Sequence, residues 1–248
     1  MLLVLAAVAL HVQAQITETP QTIAPGSVLL KVDAITVGVN PDTSAPNQYR
    51  AVGAGWALVS TGITSSLDVE AGTQLYVRDT YRLNGSNTTQ SGIGAISLRT
   101  KWMFWQSSGQ TDSLALIPYV TLPTRNQVGG SSHTEGGLII PWETQLAPGL
   151  KAAAMAEVDE LRNVADTRYD TRLYGSGLLQ FNLLGKLGVY GEATFGSSTG
   201  GSSSSWGTLN AGATLSASNN FQWDYEIGRL IGPSATQWTQ TLRFRWKL

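Results

Sequence analysis

Two histidines, no cysteine and 17 acidic residues are what this 248-residue chain offers for catalysis or metal binding. His11 lies in an apolar N-terminal stretch, and His133 stands beside Ser131, Ser132 and Glu135. A protein zinc site is built mainly from Cys and His ligands, and no such set is available here. His133 and Glu135 could form an acid–base pair, but the Ser-Ser-His run has no nucleophile-elbow pattern and fits a solvated loop. The glycine pairs at 129–130, 136–137 and 200–201 do not lead from a strand into a helix, so they are not phosphate loops. Asp42, Asp79, Asp166 and Asp170 lack calcium-loop spacing. The residues point to no enzyme, no cofactor and no metal. The chemistry that remains is electrostatic and lies in charges placed at every second position.

Asp68, Glu70 and Arg78 alternate with Leu67, Val69, Ala71 and Val77. Arg99 and Lys101 alternate with Ile96, Leu98, Trp102 and Phe104. Glu157 and Asp159 continue a run whose other face is Leu150, Ala152, Ala154, Ala156 and Val158. Asp224 and Glu226 separate Phe221, Trp223, Tyr225 and Ile227, and the chain ends with Arg243, Arg245 and Lys247 between Leu242, Phe244, Trp246 and Leu248. A period of two is the signature of a β-strand, whose successive side chains point to opposite faces.

Such runs predict about twelve strands, near residues 27–40, 49–61, 67–83, 92–106, 113–124, 134–146, 150–163, 169–184, 186–196, 206–218, 220–231 and 236–248. They are longer than the roughly 5–6 residues of a globular strand and match the ~9–11 tilted residues that cross a bilayer. Charged residues make up 13% of the chain against roughly 25% in ordinary soluble domains, yet mean hydropathy is only −0.03. A sheet with lipid on one face and water on the other averages out this way. The expected fold is all-β: a transmembrane antiparallel up-and-down β-barrel of about 12 strands. At ~4.8 Å strand spacing and about 40° tilt the backbone cylinder is on the order of 24 Å across. Side chains would narrow that to roughly 10 Å, enough for small solutes.

The connections alternate too. P-D-T-S-A-P-N-Q, N-G-S-N-T-T-Q-S, R-N-Q-V-G-G-S-S-H and G-S-S-T-G-G-S-S-S-S are long and polar, whereas A-P-G at 147–149, the turn around Gly185 and S-N-N at 218–220 are tight. Long loops on one rim and short turns on the other are the asymmetry of outer-membrane barrels. The opening M-L-L-V-L-A-A-V-A-L-H-V-Q-A-Q has the apolar core and small-x-small site of a secretory signal. The expected organisation is a signal peptide at 1–14, an N-terminal periplasmic segment at 15–26 and a β-barrel domain at 27–248. A net charge of −1 indicates no pull towards nucleic acid. The expected partners are outer-membrane lipid, a small-molecule solute and, during biogenesis, the barrel assembly machinery.

An arginine turned to lipid costs about 2–4 kcal/mol at mid-bilayer and about 0–1 near the interface. The charges therefore face inward, and Asp68, Glu70, Arg78, Arg99, Lys101, Glu157, Asp159, Asp224, Glu226, Arg243 and Arg245 are the candidate lumen-lining residues. Trp102, Trp105, Trp142, Trp223, Trp238 and Trp246 fall near strand ends and supply candidates for an interfacial girdle. Pro118 and Pro141 interrupt neighbouring strands, Pro118 facing lipid and Pro141 the lumen, and a bulge with a weak seam is expected there.

S-G-I-G-A-I-S-L-R-T-K-W-M-F-W followed by L-A-L-I-P-Y-V-T-L-P-T resembles the outer-membrane barrel family named for the meta-pathway of phenol degradation, labelled as transporters. Gly92, Gly94, Lys101 and Trp102 match its strand start, and Leu122, Pro123 and Thr124 match its "LPTG" strand end. Ala95 stands where the family has Asp, Arg125 where it has Gly, and Leu248 where barrels commonly end in an aromatic residue. The resemblance implies a channel or transport role, with hydrophobic or aromatic compounds as the cargo class. The expected function is an outer-membrane channel or transporter-like barrel passing small solutes. The alternative is a non-transporting structural or adhesive surface barrel.

Overall fold

The computed structural model describes residues 17–39, 47–83, 86–124, 132–163, 167–199, 205–231 and 237–248. The expected signal peptide lies outside these residues. Among them are thirteen strands: β1 (Val28–Val39), β2 (Asn47–Thr64), β3 (Leu67–Leu83), β4 (Ser86–Gly92), β5 (Ile96–Gln106), β6 (Asp112–Leu122), β7 (Glu135–Ala147), β8 (Leu150–Arg162), β9 (Tyr169–Leu184), β10 (Leu187–Ser198), β11 (Ser205–Ser216), β12 (Phe221–Ile231) and β13 (Trp238–Lys247). Twelve of them form a closed antiparallel ring, sealed by the pairing of β13 with β1 and of β2 with β3. Closure leaves no strand edge in hydrocarbon, where an unpaired backbone group costs several kcal/mol. The thirteenth, β4, occupies part of the segment expected to be a loop. It pairs with the upper half of β3, from Val77 to Leu83, while the lower half of β3 pairs with β5.

Alternation sorts the side chains as the hydropathy pattern demands. On β11 Leu209 and Leu215 are 55% and 49% exposed, whereas Asn210 and Thr214 are 7% and 6% exposed. Trp102 packs near Phe104, and Phe221, Trp223 and Phe244 form an aromatic cluster on the outer face near the short turns. The interior is not uniformly polar. Ile117, Ile139 and Met155 form a buried inward cluster against Tyr119 and Tyr174, and Ala153, Leu178 and Tyr190 form a second.

One layer reverses the alternation. Asp33 on β1 pairs with Trp56, and the next pair after a gap is Thr36 with Gly53. On β2 and β3 the ladder runs from Trp56–Gln74 to Gly53–Val77 with no Gly55–Leu75 pair. Each of β1, β2 and β3 thus carries one extra residue at the same level, and β1 shifts register against β13 between Asp33 and Ile35. Gly55 takes φ +67°, a conformation that favours glycine. Gln74 donates through Nε2 to the carbonyls of Ala54 and Tyr76 at 3.1 and 3.2 Å, bracing the two strands beside the gap. Above this layer the inward residues are Thr36, Gly53, Val77 and Asp79, with Thr36 Oγ1 3.2 Å from Thr241 Oγ1 on the lumen face of β13. Arg78 therefore lies on the outer face and is exposed, while Asp79 is buried. This corrects the placement of Arg78 in the lumen. An unbroken period of two cannot register an extra residue.

Pro118 is exposed and Pro141 is buried inside, as the register requires. The β6–β7 ladder breaks between Leu114–Trp142 and Ile117–Ile139, and the β5–β6 ladder breaks between Arg99–Tyr119 and Trp102–Leu116. Amide hydrogen exchange is expected to be faster at residues 115–117 and 139–140 than at the flanking pairs of the same strands. Equal protection along β6 and β7 would show that the gaps do not weaken the wall.

Candidate functional site

The inward charges do not line an empty tube. Residues Thr17 to Ile23, within the 15–26 expected as an N-terminal periplasmic segment, run inside the barrel. Thr17 and Glu18 are buried, and Pro20 is among the fully buried residues. The Thr17 amide donates to Glu192 Oε1 at 2.6 Å, and its hydroxyl is 2.7 Å from Ser176 Oγ. Gln21 Nε2 donates to Ser113 Oγ at 3.0 Å and to Glu143 Oε1 at 2.9 Å. The Ile23 amide lies 3.2 and 3.3 Å from the Asp68 carboxylate oxygens, and Thr22 Oγ1 donates to the Ser65 carbonyl at 2.7 Å. The segment thus ties strands β3, β6, β7, β9 and β10 together across the lumen.

Its passage needs room at the wall. A Cβ on Gly62 would stand 2.5 Å from the Ala24 carbonyl oxygen and 2.6 Å from that of Ile23. The bare glycine lets the chain run against β2, where Gly26 N donates to the Gly62 carbonyl at 2.9 Å.

Glu18 anchors the segment electrostatically. Arg99 Nη2 donates to Glu18 Oε1 at 2.5 Å while its Nε donates to Glu70. Lys31 Nζ and Lys101 Nζ lie 3.8 and 4.0 Å from Glu18 Oε2, and Lys101 is 3.7 Å from Glu70 Oε1. Three cations of the wall therefore meet one carboxylate of the wall, Glu70, and one of the segment, Glu18. Burial alone would raise the Glu18 carboxyl, but Arg99, Lys31 and Lys101 outweigh it and hold the group well below the ordinary carboxylate range.

The other expected lumen residues fall into two further clusters. Arg172 Nη2 contacts Asp159 Oδ2 at 2.6 Å and Glu157 Oε1 at 3.8 Å, and the Tyr119 hydroxyl donates to Glu157 at 3.1 Å and to Asp159. Arg243 binds Asp33 on β1, and Arg245 Nε is 3.0 Å from Asp224 Oδ2. Strand register sets Asp224 opposite Arg243, yet the ion pair forms diagonally with Arg245. Glu226 accepts from the Tyr190 hydroxyl at 3.0 Å. Apart from Arg78, the eleven candidates lie on the inner face. Glu18, Thr17, Gln21, Asp33 and Arg172 join them without having been singled out as candidate sites, and Glu192, an inward carboxylate by the same alternation, joins them too. Between the segment and β1, β2 and β13 a cavity of about 20 Å³, room for about one water, is lined by Thr17, Glu18, Lys31, Trp56, Leu58, Arg243 and Arg245 among others.

Residues 17–248 match the model of the family described as "Putative MetA-pathway of phenol degradation". The chain belongs to this family. No curated protein matches it in sequence. Among solved structures, this member of the phenol-degradation barrel family is similar to the COG4313 outer membrane channel from Pseudomonas putida F1, with TM-score 0.68 and 8% identity over 92% of this chain and 97% of that one. It is also similar to the NanC porin, with TM-score 0.57 and 9% identity over 88% of this chain and 100% of that one. A third is the CymD monoaromatic hydrocarbon channel, with TM-score 0.51, 9% identity and coverage of 91% and 89%. These likenesses show a shared fold. The closed barrel, the oily exterior and the family place this protein in the bacterial outer membrane.

Replacing Arg99 with Ala leaves Glu18 and Glu70 buried without their shared cation, and a destabilisation of about 3–5 kcal/mol is expected by denaturant unfolding in micelles. The Glu18 carboxyl titrates lower in the folded state than in the unfolded one. Its contribution is complete above the ordinary carboxylate range and drains away as pH falls through the depressed folded value. A spin label at Thr17 should therefore stay immobile at neutral pH and gain mobility only in strong acid. In Glu18→Gln it should be mobile at both.

Proposed function

We propose that this family member is a passive, non-enzymatic outer-membrane channel for small solutes, narrowed by its own N-terminal segment. The observation that carries the reading is the segment from Thr17 to Ile23, held across the lumen by side-chain hydrogen bonds and one ionic anchor. A barrel serving only as a surface scaffold gains its stability from the outer face and strand ladders. It has no need of a charged interior with a strand of chain laid through it. The wall covered by the segment, where the Glu18 amide meets Met155 Sδ at 3.4 Å, supports hydrophobic or aromatic cargo once the segment is displaced. Ile117, Ile139 and Met155 form an apolar patch next to the rings of Tyr119 and Tyr174, and the Tyr119 hydroxyl and neighbouring carboxylates offer hydrogen bonds to a polar substituent. The family's description and the likeness to the CymD monoaromatic hydrocarbon channel point to the same class.

Planar-bilayer conductance and liposome swelling with small aromatics, fatty acids and sugars test this. The wild type is expected to conduct weakly. Glu18→Gln and Gly62→Ala loosen the segment by unrelated means and should each raise conductance several-fold. Absence of conductance and of flux in the wild type and both variants would remove the channel reading and leave a structural barrel.

A further inference from the structure

The layer of extra residues that turns Arg78 outward does the same for its neighbours. Val39 pairs with Arg50, Arg50 with Thr80, Val52 with Arg78 and Gln48 with Arg82. Arg50, Arg78 and Arg82 therefore share the outer face of β2 and β3, Arg50 lying diagonally opposite each of the others at somewhat under ~7–8 Å between Cβ atoms, while Arg78 and Arg82 are about 13 Å apart along β3. All three are exposed, and none makes an ion pair or hydrogen bond with a described residue. The lumen arginines Arg99, Arg172, Arg243 and Arg245 all have carboxylate partners. Among the described residues no Asp or Glu occupies the outer face of this sector, and the strand partners around the arginines are Thr80, Asn87, Thr89 and Ser91.

Their height is set by the strands beside them. Trp238 pairs with Val39, which pairs with Arg50, and Arg229 stacks over Trp238 at 5.7 Å. An outward tryptophan at the long-loop rim marks the outer membrane–water interface. Along the ladder Arg50 is level with it, Arg82 lies two residues above and Arg78 two residues below, so the three guanidinium groups straddle the headgroup zone of the outer leaflet, which in bacterial outer membranes belongs to a phosphorylated glycolipid. Guanidinium presents a planar fork that binds phosphate bidentately, whereas neutral headgroups offer it no counter-charge.

We propose that Arg50, Arg78 and Arg82 form a docking site for the phosphate groups of lipopolysaccharide on the outer wall of the barrel. The site is independent of the channel reading.

The test uses folded protein in neutral-detergent micelles and measures binding of diphosphorylated lipid A and of the same glycolipid after phosphate removal. The wild type is expected to bind the phosphorylated form at least about tenfold more tightly. R50Q/R78Q/R82Q should lose that preference while keeping its heat-modifiable migration, and the triple lysine variant should keep only part of it because the fork is gone. Where the triple variant does not fold, R78Q alone is expected to lower the preference about threefold. Equal wild-type affinity for the two lipids, or an undiminished preference in the glutamine variants, would overturn the proposal.

Discussion

A charge placed in hydrocarbon has nothing to solvate it, and that penalty organises this molecule from wall to lumen. It forbids an open sheet edge, so the ring must close through β2–β3 and β13–β1. It pins the register of every strand, because a slip by one residue would turn Arg99, Lys101, Asp159 and Asp224 into lipid together. It then creates a second problem inside. Cations gathered on β1, β5 and β13 crowd one another in a confined space and require carboxylates from elsewhere. Glu70, Asp33 and Asp224 supply most of these from the wall, and Glu18 arrives on the N-terminal segment. The segment therefore completes the electrostatic structure of the interior.

Most of the barrel was legible because the physics behind it is local and repetitive. β3 and β9 occupy the ranges expected from alternation, and β8 and β12 lie within a residue of them. The sidedness of Pro118 and Pro141 followed from the same rule. β4 was hidden because S-N-T-T-Q-S-G carries no apolar face. It pairs with the part of β3 above the extra-residue layer, where polar side chains suffice. The inward Ile117, Ile139 and Leu178 were equally hidden, since a simple oil-out, water-in rule has no place for apolar residues facing the lumen.

The interior was legible only in part. Ten of the eleven candidates lie on the inner face, and several pair with the residue opposite on the neighbouring strand, as Glu70 does with Arg99 and Asp159 with Arg172, while Asp224 takes Arg245 on the adjacent β13. Asp33 reaches Arg243 across more than two hundred residues of sequence, and Arg172 takes both Glu157 and Asp159. Such pairings are set by strand register, which joins β1 to β13 only once the ring is known to close. The lumen segment T-E-T-P-Q-T-I has no periodicity to betray it. A signal did exist in the charge balance, since three cations, Lys31, Arg99 and Lys101, face two nearby wall carboxylates, Glu70 and Asp68.

The coincident extra residues in β1, β2 and β3 act as a swivel in the wall. Below them the arginines and lysines of the sheet look toward the channel axis; above them Arg50, Arg78 and Arg82 look away from it. Deleting one residue from each of the three strands, together with one from the 93–95 link that carries β4 and β5 in the same register along β3, would keep the strand pairing but rotate the upper wall by half a turn, bringing three positive charges into the mouth and Asp79 onto the exterior. These short insertions thus decide whether the entrance presents an electropositive collar to incoming solutes or leaves that collar to the surrounding membrane.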